Sequence, residues 1–167
     1  MSEELSFVKQ IREDPHDDTP RLIYADFLED AGDPQGELIR VQVELSHLPV
    51  GDERRVQLVQ RETELLTEHG EAWLAPLRKL GVQGASVRCF QRGLIERAKI
   101  SAGRFLEVGD ALCEIAPALY CVELLDVFQA ADRIAEYDMP PQITALDVSA
   151  KRLTAVQLGM LRGAPWM

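Results

Sequence analysis

The chain has no apolar run near the roughly 18 residues a membrane helix needs, and no basic-then-apolar leader. A membrane span and a secretory signal are therefore not expected. Histidine and cysteine are scarce and scattered: His16, His47 and His69, then Cys89, Cys113 and Cys121. That spacing offers no zinc site, and an odd, dispersed cysteine count points to a reduced cytoplasmic setting. A Gly-rich phosphate loop, a G-x-S-x-G turn and an H-E-x-x-H pair are all missing, so no cofactor or metal is expected. Positive charge is also short, with 18 Lys and Arg against 28 Asp and Glu, a net charge of −10. Phosphate backbones bind to basic patches, which disfavours nucleic acid as the main partner.

What is present suits one folded unit. A chain of 167 residues buries about 70% of its unfolded surface. Charge is distributed unevenly along it. Residues 1–40 hold 11 Asp or Glu against 4 Lys or Arg, a local −7. Residues 85–104 reverse the sign, with Arg88, Arg92, Arg97, Lys99 and Arg104 against Glu96 alone, a local +4.

Residues 18–40 carry the densest signal. Asp18 or Thr19 is a helix N-cap, and Pro20 suits the first helical position, where a missing N–H costs nothing. Tyr24, Phe27, Leu28 and Ala31 follow at i, i+3, i+4 and i+7, the stripe of a helix packed on a core. Asp26, Glu29 and Asp30 fall on the other side. Gly32 is placed to end this helix, and Asp33-Pro34 starts another whose apolar stripe is Leu38, Val41, Leu45 and Leu48. So short a link makes the two a helical hairpin.

The order Arg21-Leu-Ile-Tyr-Ala-Asp-Phe-Leu-Glu29, then Gly32-Asp33-Pro34 and Glu37-Leu-Ile-Arg40, resembles the bacterial repeat-companion domain. Phe90-Gln-Arg-Gly-Leu-Ile-Glu96 resembles that family's aromatic-x-Arg-Gly motif. Phe27 stands where the family usually has tryptophan. The similarity is concentrated in residues 5–45, weaker over 85–100, and compositional elsewhere. It implies a helical domain that accompanies degenerate leucine-rich repeats and has no assigned catalytic activity.

The remaining pattern predicts an opening helix on Leu5, Val8 and Ile11 that ends before Pro15. A long helix from Asp52 carries Val56, Val59, Thr63 and Leu66 as its stripe and stops at His69-Gly70; a short helix holds Trp73, Leu77 and Leu80. Strands are expected at 86–90 and 94–100, turned by Arg92-Gly93, then a helix at 103–115. Val122-x-x-Leu-Asp-Val127 recurs as Ile143-x-x-Leu-Asp-Val148, offset by 21 residues, as leucine-rich-repeat strands do. Ala130 and Lys151 stand where such repeats usually place Asn or Cys. Leu153, Val156, Met160 and Leu161 would form the second return helix.

The expected architecture is α+β. A helical N-terminal part, residues 1–80, leads into a strand-containing part, residues 81–167, that ends in degenerate repeat-like βα units. The expected role is non-catalytic protein recognition or scaffolding. Glu123, Asp126, Ala145 and Asp147 are candidate contacts on the sheet, with Asp126 and Asp147 as neighbours on adjacent strands. Trp166 is a candidate lid or anchor at the sheet edge, through which a homo-oligomer would form. Arg21, Asp26, Glu37 and Arg40 are expected to meet as an internal ion network. Two other classes compete: a metal-dependent hydrolase using Asp26, Glu29, Asp30 and Asp33, and nucleic-acid binding by the basic strip with Phe90 stacking.

Overall fold

A computed structural model describes residues 3–148. It is an α+β protein, with six helices and five short strands among the described residues. Contacts divide the chain into two units: residues 1–75 with 86–96, and residues 76–85 with 97–167. The 86–96 segment thus belongs with the helices, although it carries the first two strands.

The first unit opens with α1 (Glu3–Glu13), α2 (Thr19–Asp30) and α3 (Gln35–His47). Its core gathers Val8 and Ile11 of α1, Tyr24, Ala25 and Leu28 of α2, and Leu38, Ile39, Val41 and Val43 of α3. Phe7 packs against Phe27 with ring centroids 5.6 Å apart and against Tyr24 at 6.3 Å. Gly32 ends α2 as the sequence leads one to expect. At a φ of +76° it lets its own N–H reach the Glu29 carbonyl at 2.9 Å and the Asp33 N–H reach the Leu28 carbonyl at 2.8 Å. That pair of bonds satisfies helix-end carbonyls that would otherwise be bare. The start of α2 differs from expectation. Asp18 makes no capping bond; Asp17 Oδ1 accepts from the Thr19 N–H at 2.8 Å instead.

Close approach of α2 and α3 needs a glycine. A Cβ on Gly36 would lie 2.6 Å from the Ala25 carbonyl oxygen, so no side chain fits there.

The long helix departs from the sequence reading in two ways. It runs unbroken as α4 (Arg54–Lys79), through Gly70 and Pro76, with no stop at His69-Gly70. An interior glycine costs about 1 kcal/mol, and here its missing side chain makes room for Val87. Its Val56–Val59 stripe does not face a core: these residues are 73% and 44% exposed. Polar bridges to α3 hold this half of the helix. Arg55 donates to the Leu45 and Leu48 carbonyls at 2.8 and 2.9 Å, Gln42 donates to Glu62 at 2.7 Å, and Arg61 donates to Glu37 at 2.6 and 2.7 Å. Arg55 and Glu62, seven residues apart, lie on one side of the helix, and Val56 and Val59 flank that side toward solvent.

The expected strand at 94–100 is two strands, Leu94–Ile95 and Arg97–Ser101. β1 (Phe90–Gln91) and β2 (Leu94–Ile95) pair as an antiparallel hairpin, with Arg92 and Gly93 at φ values of 47° and 83°. Two consecutive positive φ values are the tight turn whose twist suits a hairpin. Glu96 then turns inward, 2% exposed, and ends the run. The expected strand at 86–90 is mostly a short 3-10 turn, Val87–Cys89.

In the second unit β3 (Arg97–Ser101), β4 (Cys121–Leu125) and β5 (Ala145–Asp147) form a parallel sheet in that order. Helix α5 (Ala102–Ile115) connects the first pair. A 3-10 turn, Val127–Gln129, and α6 (Ala131–Glu136) lie within the second connection. Ala98, Ile100, Val122 and Leu124 point to one side and pack with Phe105, Leu112 and Ile134 in a common core. The outer side of β3 is engaged by Gln83, whose N–H donates to the Lys99 carbonyl at 2.7 Å. The predicted return helix at 153–161 lies outside the described residues.

Two outcomes follow for the first unit. Arg21 is fully buried and ion-paired with buried Glu96, while Arg40 is 39% exposed. Replacing Arg21 with Ala should cost about 3–5 kcal/mol, and Arg40→Ala under about 1 kcal/mol, in denaturant unfolding. Equal effects would place the two arginines in one kind of environment and contradict the geometry. The second outcome concerns pH. The hydrogen bond from Arg61 holds the Glu37 carboxyl below its ordinary range. That stabilisation is full above about pH 4–5 and fades as pH falls through the lowered value. Melting curves of the parent and Glu37→Gln proteins should therefore converge on acidification.

Candidate recognition surface

Each strand of the parallel sheet turns alternate residues to the side away from the core. β3 presents Arg97, Lys99 and Ser101, β4 presents Cys121, Glu123 and Leu125, and β5 presents Ala145 and Asp147. Register sets their neighbours. Arg97 pairs with Cys121, which pairs with Ala145; Lys99 pairs with Glu123, which pairs with Asp147. Both steps are 24 residues long, from 97 to 121 and from 121 to 145.

This register corrects the expected offset of 21. Leu146 lies opposite Val122, not Leu125, and Asp147 lies beside Glu123, not Asp126. Asp126 follows the end of β4 in a left-handed conformation with φ of 55°, and it opens the 3-10 turn. The physical cause is the approach to β5. The Tyr120 carbonyl accepts from the N–H groups of both Thr144 and Ala145 at 3.0 Å. Gln142 adds bonds to the Cys113 and Leu119 carbonyls at 3.4 Å.

Electrostatics organise the row. Lys99 Nζ lies 2.5 Å from Glu123 Oε1. Asp147 is exposed on the far side of Glu123, about 4.8 Å away in the ladder. Opposed like charges destabilise a sheet, and among the described residues Lys99 pairs with Glu123. Cys121 is buried at the same face. Burial raises its thiol pKa, Arg97 opposes the rise, and Asp147 and Glu123 add to it.

The four residues expected as one ion network separate into three groups in the first unit. Arg40 pairs with Asp26 and with Glu29, the latter at 2.9 Å. Glu37 pairs with Arg61 of α4. Arg21 bonds Glu96 and donates to the Asp17 carbonyl at 3.1 Å, with Asp18 at 3.7 Å. Arg92 completes this buried cluster: it donates to Asp18 at 2.9 Å and to the Pro15 carbonyl at 2.5 Å, and Asp18 also meets His47 at 2.8 Å. Two guanidinium groups thus face two carboxylates. The Arg21 Nε–H alone lacks a partner among the described residues.

Sequence reading missed a clamp beside that cluster. Gln35 Nε2 donates to the Gly93 carbonyl at 3.0 Å, and Gln42 Oε1 accepts from the Gly93 N–H at 2.6 Å. Between the two glutamines Ile39 touches Gly93 directly; a Cβ on Gly93 would lie 2.7 Å from the Ile39 nitrogen. Residues 35, 39 and 42 share a helix face, so the available signal was a glutamine pair flanking an apolar residue at i, i+4 and i+7.

The competing site residues are engaged elsewhere. Asp26 and Glu29 share Arg40, and Asp33 Oδ1 accepts from the Gln35 N–H at 2.9 Å. Glu29, Asp33 and Glu37 do line a groove of about 320 Å³. Among the described residues no three His, Cys, Asp or Glu side chains are grouped to hold a metal. Along the basic strip, Arg92 meets Asp18, Lys99 meets Glu123, and Arg104 meets Glu107 at 2.8 Å. In the second unit, Leu106, Asp110, Arg133, Tyr137, Met139 and Pro140 line a groove of about 590 Å³ with other residues. Burial raises the Tyr137 phenol pKa, and Asp110, Cys113 and Asp138 add to the rise. Trp166 lies outside the described residues. No helix among the described residues is long and apolar enough to cross a membrane.

No protein-family model matches the chain, and neither a curated protein nor a solved structure matches it.

The buried, pKa-raised Cys121 thiol should resist alkylation at mildly alkaline pH, while half-buried Cys89 reacts first. Mass spectrometry after timed iodoacetamide exposure reads the order. Rapid labelling of Cys121 in the folded protein would contradict its burial.

Proposed function

We propose that this chain is a non-catalytic recognition or scaffolding module whose docking surface is the polar face of the β3–β4–β5 sheet. One observation carries the reading: three parallel strands follow one another at a constant 24-residue step and present their outward side chains as aligned rows. A step of 24 residues falls in the range of leucine-rich repeats, whose strands line a common binding face. It supports treating β3, β4 and β5 as degenerate repeat units. The reading also draws on the resemblance to the repeat-companion domain. The two stretches that carry it, residues 18–40 and 90–96, interlock through Arg21–Glu96, Asp18–Arg92 and the Gly93 clamp. Such contacts serve geometry and require no chemistry from these residues.

The face favours a protein partner over a phosphate backbone. Its charges are Arg97, Lys99, Glu123 and Asp147, a balanced set that suits mixed-charge protein surfaces. The hydrolase reading has less support, because a cation at Asp26 and Glu29 would have to displace Arg40 from both. Cross-linking and affinity capture from the native host, with parent protein and with Asp147→Lys, tests the proposal. The principal partner should fall at least tenfold with the variant and be retained by Asp30→Lys on α2. A partner that ignores Asp147 and follows Asp30 would move the docking surface to the helices.

A further inference from the structure

The sheet face is neutral as a whole but sorted by strand. Both cations, Arg97 and Lys99, stand on β3, while Glu123 stands on β4 and Asp147 on β5. From β3 to β5 is two ladder spacings, about 10 Å. We propose that this face is self-complementary and docks a second copy of the chain, with the two sheets related by a two-fold axis parallel to the strands.

The geometry of that axis follows from the register. Rotation about a line parallel to the strands keeps each residue at its height and reverses the strand order. β3 then faces β5 of the other copy, and β4 faces β4. Lys99, Glu123 and Asp147 occupy one height, so Lys99 of each copy opposes Asp147 of the other. The central pair, Glu123 against Glu123, is attenuated because each carboxylate holds its own Lys99 at 2.5 Å. A two-fold axis across the strands would instead set β3 on β3 and bring the cations together. The charges thus select one orientation, as an isologous interface requires.

Small and low side chains permit the approach. Cys121 and Ala145 are short side chains, which leaves Arg97 as the one long group of the first row, and stacked sheets settle about 10 Å apart. The contact is modest. Eight side chains per copy fall well short of the roughly 20–30 residues a side found in stable complexes. Association should therefore be weak and should depend on salt, since its selective interactions are between exposed charges.

This inference rests on the reading of the sheet face as a docking surface. Its test is sedimentation velocity of the full chain over micromolar to millimolar concentrations at low and high salt. The parent protein should form a concentration-dependent dimer that weakens several-fold at high salt. Lys99→Glu and Asp147→Lys should each be monomeric. Their equimolar mixture should dimerise, because it restores an opposite-charge pair at both ends. Lys99→Glu also removes the bond to Glu123, so its fold is checked by circular dichroism. Asp147→Asn, at an exposed site, gives a second reading and should weaken the dimer several-fold. A parent chain that stays monomeric at millimolar concentration, or a dimer indifferent to Asp147→Lys, overturns the inference. If the monomeric chain still captures a host protein through Asp147, the second-copy inference falls and the docking reading stands.

Discussion

Burying the Arg21 guanidinium sets the terms for the first unit. A charge removed from water must be met by a charge and by hydrogen-bond acceptors, because an unpaired ion in the interior costs several kcal/mol. α2 cannot supply them alone. Glu96 arrives from the end of the hairpin, Asp17 offers its carbonyl, and Asp18 gives up a capping role to stand between Arg21 and Arg92. Each of these choices constrains another: Arg92 can reach Asp18 only if the turn at Gly93 sits against Ile39, and that closeness excludes any side chain at residue 93. The pair adds little net stability by itself. Its effect is to make the helical hairpin and the strand hairpin agree on a single arrangement.

The second unit is organised by a different constraint, the parallel ladder. Parallel strands need a connection that crosses back, and helical segments provide it here twice. The apolar sides of the strands are then fixed inward by α5 and α6, which leaves the opposite side to display polar groups. Charge sorting by strand is a property of that display, since Lys99 and Glu123 lie 24 positions apart in sequence and 2.5 Å apart in space.

Much of the helical layer was legible in the sequence because its signals are local. Gly32 after Glu29-Asp-Ala announced a helix end, and Arg92-Gly93 announced a two-residue turn. Tyr24 and Leu28 marked a buried stripe through spacing alone. The errors arose where the deciding partner is remote. Asp18 reads as a cap until Arg92, 74 residues later, competes for its carboxylate. The Val56–Val59 stripe shows that α4 carries apolar residues there, yet nothing local reveals that Glu37, Gln42 and two carbonyls of the α3 end engage Arg55, Arg61 and Glu62 beside them. Register failed for a related reason. The repeated Leu-Asp-Val triplets suggested an offset of 21, but the ladder is fixed by Tyr120 and Gln142, which stand outside the triplets. For the surface, Glu123, Ala145 and Asp147 were recognisable as outward residues, while their pairing needed coordinates.

The bond from Gln83 to the Lys99 carbonyl gives the sheet a direction of growth. On that side of β3 a backbone acceptor is already taken by a segment from just ahead of the strand. A lineage that lengthened this protein by whole 24-residue units could insert them between existing strands. It could not add one ahead of β3 without first displacing residue 83. The fold therefore has one flank already taken, and length variation among chains built this way should accumulate on the C-terminal side of Ser101.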